Sequence, residues 1–262
     1  MTTSEGNLLP ALQAEPVVVD TLAKAQSWMT TLLHYDGVCG IDTETSGIDP
    51  KIQAPGAGHG RIECWSISTD DWRLFIWGKY LEVFKPWLER AERAKVGHNI
   101  YGFDWHMFAN HGIQLSGIVA DTLYISRLLY CSKERSHGLK QLALHWLGYK
   151  QPAFDSLFMR PKHKMQFVQE TKKSKGVIHE LNFRETKRKV GEQVGVPTLF
   201  ATGERGRIYK GLEYIPLSEI PYDYPERLEA LYDYASADAA LTLALYYRFR
   251  ESLEQEPWLI AK

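Results

Sequence analysis

The stretch of residues 37–47 constrains this chain more than any other, because an apolar run ends there in two carboxylates one residue apart. The apolar part predicts a buried strand, and the Ser-Gly pair after it predicts a turn. Residues i and i+2 of a strand point to the same face, so Asp42 and Glu44 project together. Two neighbouring carboxylates repel each other and need protons, basic side chains or a divalent cation as compensation. Hard oxygen ligands suit Mg²⁺ or Mn²⁺, so the stretch indicates a metal site, the alternative being a capping Asp beside a solvated Glu.

Length and composition are those of a soluble globular protein. The chain has 262 residues, of which 44% are hydrophobic and 24% charged, enough for one large domain or two small ones. We expect no membrane span, since no apolar run approaches the roughly 18 to 20 residues that a bilayer requires. The N-terminal residues lack the pattern of a signal peptide, and three cysteines without a CxxC pair indicate a reducing compartment. The sequence thus predicts a protein that is not secreted.

The order of predicted elements indicates a mixed α/β sheet flanked by helices. Residues 1–15 are expected to be loosely ordered. Hydrophobic periodicity predicts strands at 17–19, 37–43, 61–69, 72–77, 95–98 and 118–120, the second to fourth forming an antiparallel meander. It predicts helices at 21–34, 79–93, 101–110, 121–130, 137–147 and 225–253. Residues 150–222 are predicted to be an irregular, basic insertion before the last helix.

The basic insertion stands apart from an acidic remainder. From Arg160 to Lys210 there are 13 Lys and Arg against 5 Glu, a net charge of +8. The rest of the chain therefore carries −9, because the whole chain carries −1. A basic segment on an acidic body favours a polyanion as partner, the alternative being a solvated insertion or a dock for another protein.

Two further segments supply candidate partners for the first carboxylate pair. Asp104 lies in the first turn of the helix predicted at 101–110. Tyr234 and Asp238 are four residues apart in the last helix, so that they share its inward face. With Asp42 and Glu44 this makes four carboxylates, about −4 in charge, which two divalent cations would balance.

These segments resemble, in order, the three motifs of the DEDDy 3′→5′ exonucleases. The motifs are Asp42-x-Glu44, then Asn99 followed by Phe103-Asp104, and then Tyr234 followed three residues later by Asp238. The family has the ribonuclease H-like fold, a five-stranded mixed sheet flanked by helices, and releases 5′-monophosphates from 3′ ends. Within it the chain is most similar to the proofreading exonuclease domain of family A DNA polymerases. The resemblance implies one exonuclease domain over residues 16–262, including the insertion.

The resemblance also implies roles for individual residues. Asp42, Glu44, Asp104 and Asp238 would hold two divalent cations, Mg²⁺ or Mn²⁺, and Tyr234 would orient the attacking water.

Other residues would contact the substrate. The backbone near Thr45 and the side chain of Asn99 would touch the terminal nucleotide, and Ile48 would pack against its base. The spacing from Asn99 to Asp104 exceeds that of many polymerase domains by one residue, with Gly102 extra.

For the insertion the resemblance says nothing, and the prediction rests on charge. We expect the insertion to bind nucleic acid beside the active site, with Phe183 or Phe200 stacking on bases. The candidate contacts form two basic clusters: Lys172, Lys173, Lys175, Lys187, Arg188 and Lys189.

The predicted function is removal of nucleotides from single-stranded DNA 3′ ends, as proofreading for a separately encoded DNA polymerase. The expected location is the cytoplasm or wherever the DNA is replicated. One alternative is an RNA 3′-end processing exonuclease of the same fold. Another is a catalytically silent module that binds nucleic acid or docks on a polymerase; four clustered carboxylates argue against it.

Overall fold

The structure, a computed structural model, describes residues 10–46, 60–130, 136–161, 164–170, 175–182, 197–199, 205–208 and 212–255. The chain divides into two compact units, Met1–Pro152 with Leu217–Lys262, and Ala153–Pro216. The second unit falls inside the segment predicted as an insertion at about 150–222. None of the helices in the described residues is long and apolar enough to span a membrane.

The first unit is built on a six-stranded mixed sheet with the order β1-β4-β3-β2-β5-β6. β2, β3 and β4 form the predicted antiparallel meander, and β5 and β6 continue the sheet in parallel. The family resemblance implies five strands; β1 is the sixth, parallel to β4 at the edge. The strands are β1 (Val17–Val19), β2 (Cys39–Thr45), β3 (Ile62–Ser68), β4 (Arg73–Trp77), β5 (Lys95–Gly97) and β6 (Ile118–Asp121).

Helices flank this sheet. The single helix predicted at 79–93 is wrong in its type and in its C-terminal end. In place of a helix at 79–93 there is a 3₁₀ helix, Gly78–Phe84, followed by the short α3. Pro86 lacks an amide hydrogen, so an α-helix cannot run through it from the preceding turn without losing a hydrogen bond. The helices are α1 (Pro10–Gln13), α2 (Leu22–His34), α3 (Lys85–Leu88), α4 (Asp104–Asn110), α5 (Thr122–Tyr130), α6 (Leu139–Leu142), α7 (Phe154–Phe158), α8 (Ile220–Asp223) and α9 (Leu228–Glu254).

The two faces of β2 are covered by different helices. Ile41 points to one face, where it shares a core cluster with Met107 and Phe108 of α4. Gly40 points to the other, where a Cβ would lie 2.1 Å from the carbonyl oxygen of Ala239 in α9. Strand alternation places Asp42 and Glu44 on the same face as Gly40, so both carboxylates point toward α9.

The second unit contains strands where the sequence pattern predicts irregular structure, so that prediction is wrong. A four-stranded antiparallel sheet has the order β10-β11-β8-β9, and β12 pairs with β7. The strands are β7 (Met159–Pro161), β8 (Lys164–Glu170), β9 (Lys175–Asn182), β10 (Pro197–Leu199), β11 (Arg205–Ile208) and β12 (Leu212–Tyr214). Short strands separated in sequence by charged, Gly-containing segments carry a weak periodic signal, which explains the wrong prediction.

The basic candidates for nucleic-acid contact mostly fall outside the described residues. Lys175 begins β9. Lys172, Lys173, Lys187, Arg188 and Lys189 lie outside the described residues, as do Phe183, Phe200 and Ile48.

Candidate active site

Three carboxylates converge between β2 and α9. One oxygen each of Asp42, Glu44 and Asp238 lies within 4.8 Å of the others, close enough for a single ion to touch all three. Asp42 and Glu44 are half-buried on β2, and Asp238 is buried in the helix that packs on this strand. The cluster forms because Asp42 and Glu44 are two residues apart on β2 and because α9 packs closely on this strand at Gly40.

Asp238 has a carboxylate oxygen that fits a metal ligand. Its Oδ1 is buried and has no hydrogen-bond partner among the described residues. A buried carboxylate oxygen without a partner is costly, and a bound cation would remove that cost. Gln151 bonds to the same side chain, and its Nε2 also donates to the backbone oxygen of Tyr234 at 3.1 Å.

Asp104 approaches from the other face of β2. It is buried at the start of α4, and Thr43 Oγ1 donates to its Oδ1 at 2.5 Å. Its charge helps to raise the pKa of Asp42, so the two carboxyl groups act on each other electrostatically. Asp104 is nevertheless not among the three residues whose oxygens meet, because α4 and α9 cover opposite faces of the strand.

All four carboxyl groups have raised pKa values, chiefly because of burial. Burial and the nearby Asp238 raise the pKa of Glu44 to about 8. Burial raises the pKa of Asp104 to about 7 and that of Asp238 to about 6, against the opposing hydrogen bonds from Thr43 and Gln151. The pKa of Asp42 lies well above its usual range, through burial and then the charges of Asp104 and Asp238. Without a bound cation, these carboxyl groups therefore keep their protons to a higher pH than exposed carboxyl groups do.

Tyr234 is buried one helical turn before Asp238, as the spacing predicts. Lys140 of α6 donates a hydrogen bond to its hydroxyl, and the Lys140 Nζ lies 4.4 Å from the centre of its ring. Tyr232, the other tyrosine nearby on this helix, instead packs on Phe75, with ring centres 4.7 Å apart.

The loop before α4 places Asn99 at the edge of the sheet where β2 and β5 end. Asn99 has a left-handed backbone, with φ of 61°, and Asp121 Oδ1 accepts from its amide at 2.9 Å. The same oxygen caps α5 by accepting from the amide of Leu123 at 2.9 Å. A Cβ at Gly102 would lie 2.4 Å from Asn99 Oδ1, so the extra glycine makes room for this side chain.

Thr45 ends β2 where the register with β3 shifts: Glu44 pairs with Cys64, and Thr45 pairs with Ile62. Glu63 of β3 is the extra residue, so the irregularity lies opposite the end of the carboxylate strand and not within it.

Sequence reasoning missed three residues that touch the site: Thr43, Lys140 and Gln151. Strand alternation assigns Thr43 to the face away from Asp42, and only the packing of α4 brings an acidic partner there. A sequence signal existed for Lys140, because the segment Gly138-Leu139-Lys140-Gln141-Leu142-Ala143 also resembles the helix that precedes the third motif of the family.

Comparison with known proteins agrees with this geometry. The profile of the 3′-5′ exonuclease family matches residues 16–157, more than half of the chain. The chain is 28% identical over 258 residues to DNA polymerase I A, chloroplastic/mitochondrial, of Arabidopsis thaliana, covering 92% of this chain and 22% of that protein. It is also 28% identical to DNA polymerase I B, mitochondrial, of Oryza sativa subsp. japonica, covering 96% of this chain and 23% of that one. The chain thus spans about a fifth of the length of these relatives.

Solved structures share the fold at low identity. The catalytic core of RRP6 from Trypanosoma brucei has a TM-score of 0.54 at 14% identity, covering 95% of this chain and 51% of that one. The Aedes aegypti Nibbler EXO domain has a TM-score of 0.54 at 12% identity, covering 92% of this chain and 89% of that one. With the acidic cluster, the fold and the matching profile all in agreement, the chain belongs to the 3′-5′ exonuclease family and is an exonuclease.

Proposed function

We propose that this protein removes nucleotides from single-stranded DNA 3′ ends by hydrolysis assisted by two divalent cations, releasing 5′-monophosphates. The observation that carries the proposal is the meeting of Asp42, Glu44 and Asp238 within 4.8 Å, next to the buried Tyr234. Three acidic oxygens and a phenol on one strand and one helix suit phosphodiester hydrolysis better than any structural task, since they cost stability where they lie.

The residues present fit divalent cations. Asp238 Oδ1 is buried without a described partner, and burial with mutual repulsion raises the pKa of every carboxyl group of the set. Asp42, Glu44 and Asp238 would hold one ion. Asp104, whose charge acts on Asp42, would complete a set of four carboxylates whose charge balances a second ion. Such ions stabilise the attacking and leaving oxygens of an in-line displacement at phosphorus.

The protein side chains would then bind, orient and exclude water. The Tyr234 hydroxyl would hydrogen-bond the attacking water, and Asn99 and the backbone near Thr45 would hold the terminal nucleotide. Ile48 would pack on its base. A positioned polar group of the kind proposed for Tyr234 contributes about 10- to 1000-fold in rate.

Sequence relatives support DNA as the substrate and proofreading as the role. The relatives at 28% identity are named DNA polymerase I, and the aligned region covers nearly all of this chain. The basic second unit would offset the repulsion between an acidic body and a phosphate backbone. A DNA polymerase would supply the 3′ ends.

The test is a cleavage assay on 3′- and 5′-labelled single-stranded DNA and RNA, with Mg²⁺, Mn²⁺ or EDTA. We expect 3′-labelled DNA to release mononucleotides at once, 5′-labelled DNA to shorten stepwise, and EDTA to stop both. Faster cleavage of RNA would assign the protein to RNA 3′-end processing. Binding without cleavage in either metal would indicate a silent module. A matched and a mismatched primer terminus then test proofreading, with the mismatched end expected to be cut faster.

A further inference from the structure

Lys140 is a basic side chain inside an acidic site, and neither the proposed reaction nor the family motifs use it. It lies half-buried on α6, a short helix that packs against α9. Its Nζ donates a hydrogen bond to the Tyr234 hydroxyl and lies 4.4 Å from the centre of that ring. The hydrogen bond therefore places the ammonium group at the hydroxyl end of the tyrosine.

The direction of this hydrogen bond has a chemical consequence. An ammonium group has three donors and no acceptor, so the phenol oxygen accepts from Lys140. The hydrogen of the phenol is therefore directed to another acceptor, such as a water molecule bound beside the carboxylates. A water that accepts from Tyr234 is held by that hydrogen bond and keeps both of its own hydrogens, so it can donate one to a neighbouring carboxylate, which would take the proton as the water attacks.

The charge of Lys140 lies next to the carboxylate cluster, because its Nζ donates to the hydroxyl of Tyr234, one helical turn before Asp238. Against the dominant effect of burial, it lowers the pKa of Glu44, Asp238 and Asp42. In the described part of the chain, it is the cation that acts on all three of them. It thus reduces their mutual repulsion when no metal ion is bound.

We infer that Lys140 is a positioning residue with two tasks: it holds the Tyr234 hydroxyl as an acceptor, and it provides cationic charge beside the three carboxylates until divalent ions bind. The first task rests on the proposed nuclease function. The second does not, because it concerns the stability of the metal-free protein.

The charge task is tested by thermal unfolding of the full chain, with and without saturating Mn²⁺. Lys140→Met keeps the length of the stem and removes the charge, Lys140→Arg keeps the charge, and Lys24→Met is a control on the exposed face of α2. We expect Lys140→Met to lower the metal-free Tm by about 2–4 °C or more, a moderate change for a chain of this size. Mn²⁺ should abolish this deficit, because bound ions replace the lost charge.

Two results would overturn this part. A deficit of equal size with and without Mn²⁺ would mean that Lys140 only packs, and no deficit without metal would mean that its charge is not needed. Lys140→Arg should have a metal-free Tm close to that of the wild type. Any small change in Tm caused by Lys24→Met should be the same with and without Mn²⁺.

The Tyr234 task is tested by a double-mutant cycle on the rate at saturating DNA. We expect Lys140→Met to lower kcat by about 10-fold with little change in KM, within the range for one positioned polar group. Lys140→Met should have no further effect, within about two-fold, when Tyr234 is already Phe. If the losses in kcat of the two single variants multiply in the double variant, or if Lys140→Met raises KM and leaves kcat unchanged, then Lys140 contacts the substrate directly. Either result would overturn the assignment. If the wild-type chain cleaves nothing, the proposed function fails and the unfolding experiment still decides the charge task.

Discussion

The α-carbon of Gly40 lies against the backbone carbonyl of Ala239, so closely that a Cβ at Gly40 would be 2.1 Å from that oxygen. This contact sets the distance between β2, with Asp42 and Glu44, and α9, with Tyr234 and Asp238. The clashing atom is a helix carbonyl, which cannot rotate away as a side chain could.

We expect Gly40→Ala to destabilise the protein by about 1–3 kcal/mol, the range for overpacking a dense core. It should also lower the nuclease rate, because pushing α9 outward separates the carboxylates. Chemical denaturation and the cleavage assay measure the two effects. Gly138→Ala is the control: its nearest contact is the end of the Gln141 side chain, which can move. Equal stability of the two variants would contradict the close packing at Gly40.

Asp42→Ala should abolish cleavage and leave the metal-free protein as stable as wild type, or more stable. Removal of one of several repelling carboxylates relieves the repulsion that raises their pKa values. The measurements are activity with Mg²⁺ and Tm in EDTA, with the exposed Asp223→Ala as control. Activity above about 1% of wild type would argue against metal-assisted hydrolysis at this cluster, which contributes several kcal/mol.

Tyr234→Phe should reduce the rate about 10- to 1000-fold while Mn²⁺ affinity stays nearly unchanged, because it removes one positioned hydroxyl and keeps the ring. Single-turnover cleavage and calorimetric Mn²⁺ titration give the two quantities. Tyr232→Phe on the same helix is the matched control, since that ring packs on Phe75 away from Lys140. A parallel fall in metal affinity would instead assign Tyr234 to packing of the site.

The metal-free protein should lose stability as the pH rises from about 4 to about 8. The folded pKa values of Glu44, about 8, Asp104, about 7, and Asp238, about 6, lie above their usual values. The folded state therefore binds more protons than the unfolded state in this window, and the slope of unfolding free energy against pH is negative.

Denaturant unfolding in EDTA at a series of pH values from 5 to 8.5 gives the slope of the unfolding free energy against pH. Glu44→Gln should make the slope shallower, because it removes the carboxyl group with the highest pKa of the three, about 8. Saturating Mn²⁺ should reverse the slope, since the ion competes with protons for the same oxygens. A flat profile in EDTA would mean that the carboxylates are compensated without metal.

Changing Lys187, Arg188 and Lys189 together to Ala should weaken DNA binding and flatten its salt dependence. Each phosphate contact to a single strand adds about 0.7 to the slope of log K against log salt, so three contacts give up to about 2. These residues lie outside the described part of the chain, and the prediction rests on the +8 charge of their segment. The rate at saturating DNA should change little.

The control for this triple variant removes the same charge from the acidic unit, by changing Lys24, Lys79 and Arg90, all of them exposed, to Ala. If both triple variants leave the slope unchanged, the basic segment serves solubility or a partner protein instead.

The sequence by itself determined the carboxylate strand, the meander and the pairing of Tyr234 with Asp238. The strands and the helix behind these features follow from a local period, two along a strand or nearly four along a helix. That period can be recognised in the sequence without knowledge of the tertiary contacts. The same rule predicted the strand Val17–Val19, although the family resemblance implied five strands.

Tertiary structure alone decided which groups surround those carboxylates. Thr43 meets Asp104, and Lys140 meets Tyr234, across 61 and 94 residues of chain, and no local pattern encodes such contacts. The strands of the second unit are likewise defined by pairing between distant segments, as when β8 pairs with β11. Contacts of this kind depend on how helices and strands pack, and so the compensation of charge in the site became visible only in the fold.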